Sequence, residues 1–118
     1  MLREMMVAVE AAHPTDQGWR QLGPYSIDEL DVDNVFYRKG QAPVAVLYMD
    51  DAFVRSEDVK LAQHLQCMYS NRMNGRSLHI LLVYQGLLAR PARMPNGVSV
   101  FTFTVCDDRT AHQRVVLN

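Results

Sequence analysis

The sequence predicts an α+β fold, one mixed sheet of about five strands with two helices, in a single domain over residues 1–118. Three observations carry that prediction. Two apolar runs, Val44-Ala45-Val46-Leu47-Tyr48 and Leu78-His79-Ile80-Leu81-Leu82-Val83-Tyr84, flank an amphipathic segment at 56–71, which is the pattern of strand, helix and strand. Val98–Val105 alternates cleanly, with Phe101, Phe103 and Val105 on one face and Val98, Val100, Thr102 and Thr104 on the other. Residues 2–12 repeat apolar side chains at helical spacing through Leu2, Met5, Met6, Val9 and Ala12. The expected order is helix, strand, strand, helix, strand, strand and a short last strand, with both helices on one face of the sheet.

The first helix should stop at His13-Pro14, because proline disfavours helical geometry in the residue before it. Asp16, Gly18, Gly23 and Pro24 then make a loop that Trp19 and Leu22 would anchor to the core. Residues 32–38 are expected to pair with Val44–Tyr48 as an antiparallel hairpin, turning at Gly40-Gln41. Both faces of that second strand are apolar, which places it in the sheet interior. Ser56 suits an N-cap, and Glu57 and Asp58 in the first turn complement the helix dipole. Leu61, Ala62, Leu65, Met68 and Tyr69 form the inward stripe, and Asn74-Gly75 suits a left-handed stop. Beyond Tyr84, Leu87-Leu88-Ala89 extends the strand pattern, Met94-Pro95-Asn96-Gly97 carries turn chemistry, Cys106-Asp107-Asp108-Arg109 is a turn, and Gln113–Leu117 is a last strand.

A chain of 118 residues that is 48% hydrophobic and 21% charged can bury a core without metal or disulfide staples. No apolar run approaches the ~20 residues of a membrane-spanning helix, and no secretory signal is expected from Met1-Leu2-Arg3-Glu4-Met5-Met6, which carries an acid and lacks a long apolar stretch. Cys67 and Cys106 are expected as buried free thiols in a reducing cytoplasm. The net charge of −1 exerts no general pull on nucleic acid. The charges are nonetheless split along the chain. Residues 28–58 hold eight acids against Arg38, Lys39 and Arg55, whereas residue 59 onward holds seven Lys or Arg against Asp107 and Asp108. Arg72, Arg76, Arg90 and Arg93 bracket loops after the second helix and could meet an anion.

The acids offer the one constellation with metal chemistry. Asp33 lies at the start of the first strand of the hairpin, and Asp50-Asp51 follow the second. The run from Asp31-Val32-Asp33 through Pro43-Val44-Ala45-Val46-Leu47, a helix and a strand to Tyr84 resembles the core of restriction-endonuclease-like, very-short-patch-repair-like nucleases. The resemblance implies Asp33 as the first metal-binding acid, with Asp50 or Asp51 nearest the second. A magnesium or manganese ion held there would clamp charge and activate water for phosphodiester hydrolysis. The family's acid-x-lysine is missing, since Tyr48 stands in the first acidic slot of Tyr48-Met49-Asp50 and no lysine follows. The other reading of Asp50 and Asp51 is structural, as loop-shaping residues ahead of a helix. No histidine or cysteine spacing matches a zinc site, and no glycine-rich phosphate loop occurs.

A sound core without a convincing catalytic set points to a non-catalytic interaction protein, cytoplasmic and self-associating as a homodimer. The alternatives are a metal-dependent nuclease or degenerate nucleic-acid binder, and a scaffold resembling profilin or roadblock proteins. The dimer expectation rests on the apolar character of both faces of Val98–Val105, one of which two helices on a single face would leave bare.

Overall fold

The computed structural model describes residues 2–49, 53–86, 93–105 and 113–117. Helix α1 (Leu2–Ala11) and a 3-10 turn (Thr15–Gln17) come first. They lead into β1 (Arg20–Gln21), β2 (Tyr25–Ile27), β3 (Leu30–Val32), β4 (Asn34–Tyr37) and β5 (Val44–Tyr48). Helix α2 (Ser56–Arg72) then precedes β6 (His79–Gln85), β7 (Val98–Val105) and β8 (Gln113–Leu117). One sheet runs β1-β4-β5-β6-β7-β8, and β2 and β3 pair with each other in a separate ribbon. Strands β5, β6 and β7 are parallel, while the β1/β4, β4/β5 and β7/β8 pairs are antiparallel. The fold class is therefore α+β with two helices and a mixed sheet, but more strands precede α2 than the sequence suggested.

Side-chain alternation along the parallel strands sets the layers. Ala45, Leu47, Ile80, Leu82, Tyr84, Val98 and Val100 share one core with Ala62 and Leu65 of α2. Val46, Leu81, Val83, Phe101 and Phe103 share the other with Met5, Ala8 and Val9 of α1 and with Trp19. The helices thus lie on opposite faces, which corrects the expectation of both on one. Parallel strands apolar on both sides need cover on both sides. The same finding removes the motive for a dimer, because Phe101 and Phe103 are already fully buried within the chain.

Several local expectations hold and others shift. On α2 the inward stripe is as read, with Ala62 and Leu65 buried and Leu61, Met68 and Tyr69 packed beside them. Arg55, not Ser56, occupies the N-cap. Asp58 Oδ2 accepts the Arg55 N–H at 3.0 Å and the Tyr84 hydroxyl at 2.9 Å, tying the helix start to β6. At the other end Asn74 and Gly75 take φ of 54° and 81°, and the Gly75 N–H reaches the Ser70 carbonyl at 2.8 Å. Gln66 Nε2 donates to the carbonyls of Leu78 and Asn96, fixing the turn before β7. On α1 the buried residues are Met5, Ala8 and Val9, leaving Leu2 and Met6 outward. His13 Nδ1 lies 2.8 Å from the Val9 carbonyl, and its ring stacks on Phe36 and meets the edge of Trp19. Cys67 is exposed rather than buried. The expected extension at 87–89 and the turn at 106–109 lie outside the described residues, Cys106 with them.

Leu65 is fully enclosed between α2 and the sheet. Leu65→Ala should therefore cost ~2–5 kcal/mol in urea unfolding, since the cavity cannot refill. A loss under 1 kcal/mol, on the order of a surface change, would show that α2 does not pack as described.

Candidate functional site

A break in the predicted hairpin creates the site. The sequence suggests one strand over 32–38, but the chain divides at Asp33 into β3 and β4. Asp33 donates its N–H to the Val46 carbonyl at 2.9 Å and accepts the Tyr48 N–H on Oδ2 at 2.7 Å. Beside it, Asn34 is buried and satisfied on both ends of its amide. Its Oδ1 accepts from Gly23 N–H at 2.9 Å and Val35 N–H at 2.8 Å, and its Nδ2 donates to Gln21 Oε1 at 2.9 Å. This knot limits β1 to Arg20–Gln21 at the sheet edge and releases the following chain into the β2–β3 ribbon. The ribbon packs on the α2 side, where Ile27 and Val32 join the same core as Ala62 and Leu65.

Between the ribbon, the strand β4 and the last turn of α2 lies a cleft of about 330 Å³. Buried Ile27, Val35 and Leu78 line it below, and Tyr69 and Pro43 contribute its sides. The exposed apolar side chains of the rim are Leu22 (57%), Tyr25 (49%), Tyr37 (41%) and Met73 (40%). These are half of the large hydrophobic side chains exposed among the described residues, gathered at one place. Leu22 was expected as a core anchor; only Trp19 fills that role, under the guanidinium of Arg38. At the mouth, Arg72 of α2 forms an ion pair with Asp28 at the ribbon tip. Asp28 and Glu29 both hold positive φ, 48° and 71°, as a two-residue turn between paired strands requires. A volume of this size with apolar walls and few polar groups has the character of a small-ligand site.

Asp33, the described one of the three acids singled out in the sequence, is not among the residues lining this cleft. Asp33 borders a different, open depression with Pro24, Ser26 and Asp31, where Ser26 Oγ donates to Asp31 at 2.5 Å. Asp50 and Asp51 lie outside the described residues. Among the described residues no group of three or more His, Cys, Asp or Glu is placed to hold a metal ion. His64 and Cys67, a pair at i and i+3 on α2, are both exposed. No helix among the described residues is long and apolar enough to cross a membrane.

Sequence reasoning missed Tyr25, Tyr37, Tyr69 and Met73 as a group. They are spread over some fifty positions, and only the folding-over of the ribbon brings them together. The available signal was weak: a methionine just beyond a helix end and tyrosines near two turns. No protein-family model matches the chain, and no curated protein is similar enough to count as a relative.

Tyr48 gives the neighbourhood of Asp33 a pH signature. Burial, reinforced by the charges of Glu10 and Asp33, pushes its phenol up to about 12 from 10.0. The folded state then holds this proton more tightly than the unfolded chain. The associated stability is complete below pH 10.0 and is lost as pH rises through about 12. Denaturation across that window should show a downward slope that Tyr48→Phe reduces. An unchanged slope in the variant would assign the effect to other groups.

Proposed function

We propose that this chain is a non-catalytic binding protein whose cleft holds the apolar, ring-bearing part of a partner molecule. The observation that carries the proposal is the convergence of Leu22, Tyr25, Tyr37 and Met73, all exposed, on one concavity. Covering a large apolar side chain is worth ~1.5–3 kcal/mol, so four wet ones around a preformed cavity favour occupation. Tyrosine and methionine suit the task, since one presents a rigid ring and the other adapts its shape. A cytoplasmic setting accords with the exposed thiol of Cys67, which an oxidising compartment would pair or modify. Self-association belongs to the same reading, through outward apolar residues such as Leu2, Met6 and Val7. Light scattering at micromolar concentration should then give about twice the 13.5 kDa chain mass, and a constant 13.5 kDa would exclude it.

A second reading, a metal-dependent nuclease or a degenerate nucleic-acid-binding relative, has one observation in its favour. The Asp33 carboxylate sits against the carboxyl end of β5, from which Asp50-Asp51 follow in the chain. Against it, one oxygen of that carboxylate already serves the Tyr48 N–H. Calorimetric titration with magnesium or manganese decides between them. Sub-millimolar binding that vanishes in Asp33→Asn would favour the nuclease class.

The binding reading predicts that a screen of small aromatic compounds shifts the NMR signals of Tyr37, Tyr69 and Met73 together. Met73→Ala should weaken the best compound by about tenfold, the scale of a lost apolar anchor. Hits that map elsewhere, or equal binding by the variant, would remove the cleft from consideration.

A further inference from the structure

We infer that the cleft selects a planar apolar molecule bearing one carboxylate-like anionic group, with Arg72 as the anchor for that group. This rests on the cleft being a binding site and names the chemistry of its ligand. The interior supplies shape and ring faces but little polarity. Its buried residues are Ile27, Val35 and Leu78, and the rings of Tyr25, Tyr37 and Tyr69 stand around them. A ligand with polar groups at several points would lose their hydration there without replacement. Among the described residues the polar lining consists of the tyrosine hydroxyls, Ser26, Asp28 and Arg72, and Arg72 is the one cation. An occupant should therefore be apolar through most of its body and carry a single negative group at one end.

The tie between Arg72 and Asp28 is of a kind that such a ligand can replace. The arginine side chain is 67% exposed and the aspartate 30%, so water screens their attraction. Asp28 at φ 48° is a residue type that this turn accepts, but Glu29 at 71° holds a conformation that glycine would adopt more readily. The turn that brings the aspartate to Arg72 is thus strained at one of its two central residues, Glu29. A carboxylate on a rigid ring, held by the cleft, meets the guanidinium without that turn. It can also take the forked, two-bond geometry that guanidinium favours. In the empty protein Asp28 occupies the anion position, and in the liganded protein the ligand's own carboxylate does.

Naphthalene carboxylate and its neutral amide share one ring system and differ in charge, and calorimetry with both tests the proposal. The carboxylate should bind saturably with one site, and the amide about tenfold more weakly. Arg72→Gln, a change at an exposed side chain, should abolish the difference, the carboxylate binding that variant no better than the amide does. Asp28→Asn should tighten the carboxylate, because it removes the group that competes for Arg72. Equal binding of the two compounds, or a carboxylate preference that survives Arg72→Gln, would overturn the anion anchor while leaving the cleft as a site. Absence of binding by either compound, with no NMR shift at Tyr37 or Met73, would overturn both.

Discussion

Strands β5, β6 and β7 carry apolar side chains on both faces, so neither face can be left to water. Most of the architecture answers to that constraint. The α2 crossover from β5 to β6 covers one side with Ala62 and Leu65. The other is covered from the amino end, by Met5, Ala8 and Val9 of α1 and by Trp19. His13 terminates α1 and stacks on Phe36, which joins that cover to β4. Two layers of cover explain why a chain of ordinary composition leaves Val46, Leu82, Val83, Val100 and Phe101 with no exposure at all.

The candidate site arises where that regular plan gives way. At Asp33 and Asn34 the backbone would otherwise continue from β3 to β4 as one long strand. Side-chain hydrogen bonds from both residues compete with the ladder and bend the chain out of it. The ribbon that results is too short to be stable alone. It borrows stability from α2 through Ile27 and Val32, and from the ion pair at its tip. A ribbon leaning on a helix from one side leaves a gap between them, and the cleft is that gap. Its rim is apolar because the same residues sit at the edge of a core they do not fully enter.

Much of the central fold was legible because periodicity is strong where burial is two-sided. The runs at Val44–Tyr48 and Val98–Val105, the stripe on α2 and the turn at Asn74-Gly75 each obey one rule, and the structure places them accordingly. Strands β1, β2 and β3 were not legible. They have two or three residues each, too few for alternation to register, and Asp28-Glu29 lacks the asparagine and glycine that usually announce such a turn. The facing of the two helices was misjudged for a different reason: helical periodicity tells which side of a helix is buried, not which side of a sheet receives it. The cleft was hidden for the same cause, since Leu22 and Tyr25 look like ordinary core residues in one dimension. Asp33 was noticed as an acid, yet its bond to the Tyr48 N–H depends on a register that only the folded chain fixes.

The cleft exists only because the ribbon folds onto α2 instead of extending the sheet. Nuclear Overhauser contacts in the labelled protein measure this directly. The structure predicts cross-peaks linking the methyl groups of Ile27 and Val32 to Leu65 or Tyr69 of α2. It also predicts slow exchange of the Gly23 amide, which is bound to Asn34. Ribbon methyls without any contact to α2, together with a freely exchanging Gly23 amide, would mean that the cleft has no wall on that side, and the account would be contradicted.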